Sequence, residues 1–303
     1  MRTQILRANV WLGAAGLAGA AALLAAGVPF MRTWFYSFAW WSFIFFMDGV
    51  NYRTDGSSPL SVSGRDFAAA VFLSVPVWLV FELANLRLRN WSYHGLPSGT
   101  AERWLGYFVA YATVVPTMRE LGHFFSRRFE GTLGRRTGVR IGPGGRRALV
   151  FLGAAALVLP LVWPRLFFPL VWLGFVLLLE PVNSGLGAPS LLGDLAAGRR
   201  SRLAGWMAAG LGAGVLWEFW NWWAGAHWQY QIPYLNFGRI FQMPVFGYAG
   251  FVPFALEVFV LTSFLFAARD RLRRRRGAVL AAAVALLAFD LIAFRLIDLH
   301  SVR

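Results

Sequence analysis

Long apolar stretches alternate with short, arginine-bearing connections along the chain. About 20 consecutive apolar residues in helical form cross the roughly 30 Å of hydrocarbon in a bilayer. Nine stretches approach that length, near residues 8–29, 34–50, 67–86, 104–125, 147–163, 166–183, 203–224, 245–268 and 277–297. They predict nine transmembrane helices and hence an all-α, polytopic integral membrane protein. The first follows MRTQILR, a charged start of the kind that opens signal peptides. A retained first span is preferred, because it fits the repeat that follows.

The polar interruptions within these stretches recur in order. FFMDGVN (45–51) matches LLLEPVN (177–183), and LVFELAN (79–85) matches LWEFWN (216–221). NWSY (90–93) matches HWQY (227–230), and YATVVPTMRE (111–120) matches YAGFVPFALE (248–257). The acids fall at Asp48, Glu82 and Glu120, then at Glu180, Glu218 and Glu257. Two tandem four-helix units are expected, over 1–140 and 141–270, with an additional C-terminal transmembrane helix in 271–303. An even number of spans preserves orientation, so the units should be related by a pseudo-twofold axis along the membrane normal.

Composition supports the membrane reading. The 303 residues are 58% hydrophobic and 14% charged, whereas soluble domains carry about 25% charged residues. The net charge is +15, and all 29 basic residues are arginine. Of these, 20 lie at the N-terminus or in the connections after the second, fourth, sixth and eighth stretches; seven lie on the opposite side. Excess arginine marks the cytoplasm. The N-terminus is therefore expected in the cytoplasm and the C-terminus outside, with a bacterial inner membrane as the host. Arginine placed this way reads as topology and headgroup attraction, with docking of an acidic partner protein as the alternative. Nucleic acid is not an expected partner. The absence of cysteine excludes disulfides, thiol catalysis and cysteine-bound metal. His94, His123, His227 and His300 lack ligand spacing, so no metal or cofactor is expected. The glycine-rich loops at 138–147 and 183–190 lack a phosphate-binding context and read as turns.

Acids inside such stretches are the candidate chemistry. Asp48–Asn51, Glu82–Asn85, Glu180–Asn183 and Glu218–Asn221 are i, i+3 pairs that share a helix face. A carboxamide can serve either protonation state of a carboxyl group. A carboxylate at membrane depth is costly. It therefore acts either as a polar clamp between helices or as a protonatable group for acid–base or proton-coupled work. Depth along the helices puts Asp48 and Glu180 near cytoplasmic ends, where they cap loops. The candidate catalytic residues are Glu218, Glu257, Glu82 and Glu120. The candidate substrate-binding residues are Asn221, Asn85, Trp217, Trp220, Tyr230, Tyr248, Tyr93 and Tyr111. The aromatic outer segments around 89–97 and 226–234 read as interfacial anchors, or as a lid over a lipid-facing pocket.

The chain holds 28 Phe and 15 Trp. PTMRE (116–120) and PFALE (253–257) each set a glutamate shortly after a proline. With the duplicated layout, they resemble the small membrane lycopene (carotenoid) cyclases. That resemblance implies an acid that protonates a double bond of a lipid-soluble polyene or isoprenoid, with Glu257 and Glu120 as proton donors. Aromatic faces would stabilise the resulting cation. Three functions are carried forward: a lipid or isoprenoid cyclase or isomerase, a proton-coupled transporter of a small or lipidic solute, and a non-catalytic subunit of a larger membrane complex. In each, the partner is membrane lipid, a lipid-soluble molecule or another membrane protein.

Overall fold

Proline and serine set the starts of the helices. The computed structural model describes residues 2–303. In the first part lie α1 (Arg2–Ala25), α2 (Pro29–Asp55), α3 (Pro59–Val62), α4 (Gly64–Leu88), β1 (Trp91–His94), α5 (Thr100–Tyr111) and α6 (Val114–Leu133). The second part holds α7 (Pro143–Val162), α8 (Pro164–Phe167), α9 (Gly174–Leu186), α10 (Leu191–Ala196), α11 (Ser201–Trp223), β2 (His227–Tyr230), β3 (Arg239–Ile240), β4 (Met243–Pro244) and α12 (Phe251–Leu272). Last comes α13 (Arg276–His300). Proline occupies the first turn of α2, α3, α7 and α8, where its missing N–H costs nothing. Ser58 and Ser190 cap α3 and α10 through their side chains.

The protein is a helical membrane protein. Among the described residues, six helical segments are long and apolar enough to cross a bilayer: Thr3–Ala25, Gly64–Leu88, Pro143–Val162, Pro164–Leu186, Val245–Leu272 and Arg276–His300. The other three expected spans fall short for identifiable reasons. The apolar content of α2 and α11 is weighted toward Trp, Tyr and Gly, which score low on hydropathy. The stretch at 104–125 is broken into α5 and α6 at Ala112–Thr113. Pro116 causes that break: it has no N–H for the Ala112 carbonyl, and its ring crowds that carbonyl. Pro253 sits at the same place in α12, which follows a 3₁₀ turn over Val245–Gly250.

The helices divide into a rim and a core. Only 17% of the apolar window of α1, α7 or α13 is buried, against 56% for α4 and for the segment containing α12. The rim helices press closely on their neighbours where glycine permits. A Cβ on Gly13 of α1 would lie 2.3 Å from the Phe46 nitrogen and 2.4 Å from the Ser42 carbonyl oxygen on α2. A Cβ on Gly153 of α7 would lie 2.4 Å from the Leu178 nitrogen and 2.8 Å from the Gly174 carbonyl oxygen on α9. The core is aromatic at its centre: Trp40 is fully buried against Trp220, with ring centroids 4.5 Å apart, and against Trp217.

Candidate functional site

Two outer segments that the sequence reads as loops form an antiparallel ribbon. Trp91 pairs with Tyr230, Ser92 with Gln229, Tyr93 with Trp228 and His94 with His227. The register is unchanged when the two strands exchange roles, because each Trp faces the other strand's Tyr. Residues 301–303 add an edge: Tyr93 N–H donates to Ser301 O at 2.8 Å and Arg303 N–H to Tyr93 O at 2.9 Å. Asparagines fix the start of both strands. Asn85 donates to Trp91 O at 2.9 Å and accepts from the Asn90 and Trp91 amides at 2.8 and 3.2 Å. Asn221 exchanges both bonds with the Trp228 backbone, each at 2.9 Å. Neither asparagine faces the cavity described next.

Beneath the ribbon lies a cavity of about 410 Å³, within the range of small-molecule sites. Its walls are largely apolar and rich in aromatic rings, among them Trp78, Trp91, Tyr93, Tyr107, Tyr111, Trp172, Trp217 and Tyr230. Two fully buried carboxyl groups stand directly behind that wall. Glu82 Oε1 accepts from Trp78 Nε1 at 2.8 Å and from the Tyr93 hydroxyl. Trp91 Nε1 lies 3.2 and 3.3 Å from its two oxygens. Tyr111 extends the chain, its hydroxyl donating to that of Tyr93 at 3.2 Å. Glu218 accepts from the Tyr230 hydroxyl at 3.0 Å, while its second oxygen has no hydrogen-bond partner. Burial, then the nearby Glu82, push the Tyr93 phenol well above its ordinary pKa; burial and Glu218 do the same to Tyr230. Both phenols therefore remain protonated donors at neutral pH.

The other expected site residues lie elsewhere. Glu257 accepts from the Phe175 amide at 2.9 Å, and Glu120 from Asn51 Nδ2 at 2.7 Å; neither lines the cavity. Glu218 and Glu257 are thus tied separately. Trp217 does line the cavity, whereas Trp220 packs on Trp40 and Phe43. Tyr248 turns away, its hydroxyl on Ile240 O at 3.0 Å. Asp48 and Glu180 accept from the Leu60 and Leu192 amides, at 3.4 and 2.9 Å, and so hold the first turns of α3 and α10.

Several cavity residues escape sequence reasoning. Arg103 lines the cavity and grips Asp298 through two nitrogens, at 2.7 and 2.8 Å. Trp104 and Tyr107 donate to the same carboxylate, at 2.9 and 3.0 Å. This latch joins α5 to α13 across 195 positions, so no local spacing announces it. Tyr107 had a signal, its i, i+4 relation to Tyr111, whose ring stacks on it at 5.7 Å. Trp172 had none.

No protein-family model, curated protein or solved structure matches this chain. Function therefore rests on the geometry of the cavity and its two acids.

Proposed function

We propose that this chain binds a lipid-soluble molecule, isoprenoid- or carotenoid-like, in the aromatic cavity, and that its buried glutamates serve acid–base chemistry there. One observation carries the reading: Tyr93 and Tyr230 each touch the cavity and a buried glutamate at once. Each phenol therefore joins the apolar space to a carboxyl group that cannot reach it directly.

In this reading the chain is a duplicated unit, residues 1–140 and 141–270, followed by a ninth span. The exchangeable ribbon register, the matched glycine packing of α1 on α2 and α7 on α9, and the matched capping of α3 and α10 support it. Counting α2, α11 and the α5–α6 pair as spans gives nine. The arginine bias then puts the ribbon on the outer side of a bacterial inner membrane, with the N-terminus in the cytoplasm.

The proton path differs from the one expected at Glu257 and Glu120, since both stand off the cavity. The Tyr93 hydroxyl, which rests on Glu82, serves as a relay: it turns toward the ligand, gives its proton to a double bond and takes one from a protonated Glu82, and the carbocation later returns a proton by the same route, restoring both groups. Surrounding ring faces stabilise the carbocation formed on the ligand.

The test is mass spectrometry of lipids extracted from protein purified in mild detergent, beside an Ala110→Phe variant that fills the cavity. Wild type should retain an apolar species that the variant lacks. If both carry only the bulk lipid profile, the cavity is not a ligand site and the acids are scaffolding.

A further inference from the structure

The cavity wall has a definite electrical character. The polar hydrogens of Trp78, Trp91 and Tyr93 point away from the space, onto Glu82. Those of Tyr107 and Tyr230 point onto Asp298 and Glu218. An indole or phenol ring whose N–H or O–H is engaged behind the wall offers the cavity its carbon body, with the negative face of its π system. Three carboxyl groups thus surround the space: Glu82, Glu218 and Asp298. Against them stands one lining guanidinium, Arg103, which is already held by Asp298. His227 also borders the cavity, with its Nδ1 directed to Gly225 O. Among the described residues, no ion pair involves Glu82 or Glu218. Two buried acids therefore lack a counter-ion, and the wall in front of them is made of rings.

An anionic ligand would meet negative ring faces, with the unpaired Trp228 Nε1–H as a buried donor against them. A neutral apolar ligand would meet the ring carbons and leave both acids protonated behind them. A cation would satisfy rings and acids together, because an ammonium group is attracted to Trp and Tyr faces most strongly where water is excluded.

We propose that the cavity is an aromatic cage for an organic ammonium group, with Glu82 and Glu218 as its counter-charge. This rests on the reading that the cavity is a ligand site, and it names the chemical class of the group that enters. The ammonium is carried either by a lipid headgroup or by a free amine.

The decisive comparison uses choline and its neutral isostere, 3,3-dimethyl-1-butanol, which match in shape and differ in charge. Binding to the full chain in neutral detergent is followed by tryptophan fluorescence and by calorimetry. Choline should bind at least ~10-fold tighter than the isostere. Glu82→Gln should weaken choline and leave the isostere unchanged. The graded pair Trp172→Phe and Trp172→Leu guards against misfolding of the Glu82 variant. Choline affinity should fall in that order, since Trp exceeds Phe and Leu has no π face. Dodecyltrimethylammonium against dodecanol separates the sources. If only this chain-bearing cation binds in preference to its alcohol, the ammonium comes from a lipid; if choline also does, a free amine suffices. Both outcomes support the proposal. Equal binding of each charged and neutral pair, or binding of the neutral member alone, overturns it while leaving the cavity a ligand site. If no probe binds, the proposal falls as well, and lipid retention by wild type decides separately whether the cavity holds a ligand.

Discussion

Glu82 and Glu218 occupy matching places in the two parts of the chain, yet their surroundings differ. Each is fully buried, lies one helical turn before an asparagine that pins a strand, and accepts from a tyrosine on that strand. Glu82 also accepts from Trp78 and Trp91, so its carboxyl group is held on both oxygens. Glu218 accepts from the Tyr230 hydroxyl, while the neighbouring Trp228 indole, the counterpart of Trp91, closes no hydrogen bond and one carboxyl oxygen is left over. A buried carboxylate that gathers several donors is stabilised in its charged form, whereas one with a single donor is not. The same scaffold thus presents one well-compensated acid and one poorly compensated acid to a single cavity. The extra donors in the first part come from an indole on α4 and one on β1. At the corresponding place on α11, Gly214 lies against the Phe251 ring, where even a Cβ would be 2.2 Å from a ring carbon.

Deleting each acid should expose the contrast most strongly. Glu82→Ala strands three buried donors, each costing about 1–3 kcal/mol. Glu218→Ala strands one. Unfolding of the detergent-solubilised protein should show Glu82→Ala the more destabilised by about 2 kcal/mol or more. Equal losses would mean that the additional bonds to Glu82 carry no weight.

The asparagines give a smaller version of the same difference. Asn85→Ala releases the Asn90 and Trp91 amides and the Trp91 carbonyl, whereas Asn221→Ala releases only the Trp228 amide and carbonyl. The Asn85 variant should be less stable than the Asn221 variant by about 1 kcal/mol. Faster amide exchange at Trp91 than at Trp228 in the respective variants would locate the loss in the strand; the reverse order would contradict the assignment.

The weakest effect lies at the tip of the ribbon. Burial, then the facing His227 and Arg303, hold His94 below the usual imidazole pKa. Ser92 Oγ is its hydrogen-bond neighbour, at 3.1 Å. The unfolded chain then binds the proton more readily than the folded one. The resulting stability is fully present above the ordinary value near 6.5 and is lost as pH falls through the lower folded value. Melting temperature should decline slightly below pH 6.5 in wild type and less steeply in His94→Asn. Parallel profiles would remove the ribbon from the list of pH-sensitive elements.

Much of this architecture was legible in the residues themselves. Length and apolarity of the stretches specified helices in a bilayer, because hydrocarbon thickness and helical rise fix that relation without tertiary help. Pro116 and Pro253 act locally through a missing N–H, yet hydropathy alone reads 104–125 and 245–268 as unbroken stretches, and the break at Ala112–Thr113 came only with the structure. The paired acid–asparagine spacings marked Glu82, Asn85, Glu218 and Asn221 as special, and Tyr93 and Tyr230 came with the same motifs. What those groups face was not legible. Nothing local distinguishes Glu82, behind a cavity wall, from Glu257, tied to the Phe175 amide on another segment. The ribbon joins positions 91–94 to 227–230, and the latch joins Arg103 to Asp298. Hydrophobic patterning assigns a residue to oil or water, and only the packing of distant segments decides which polar atoms meet within the oil. The sequence by itself therefore determined a membrane helix bundle and its candidate acids. The tertiary structure decided which two of those acids stand behind the wall of one cavity, and which rings lie between.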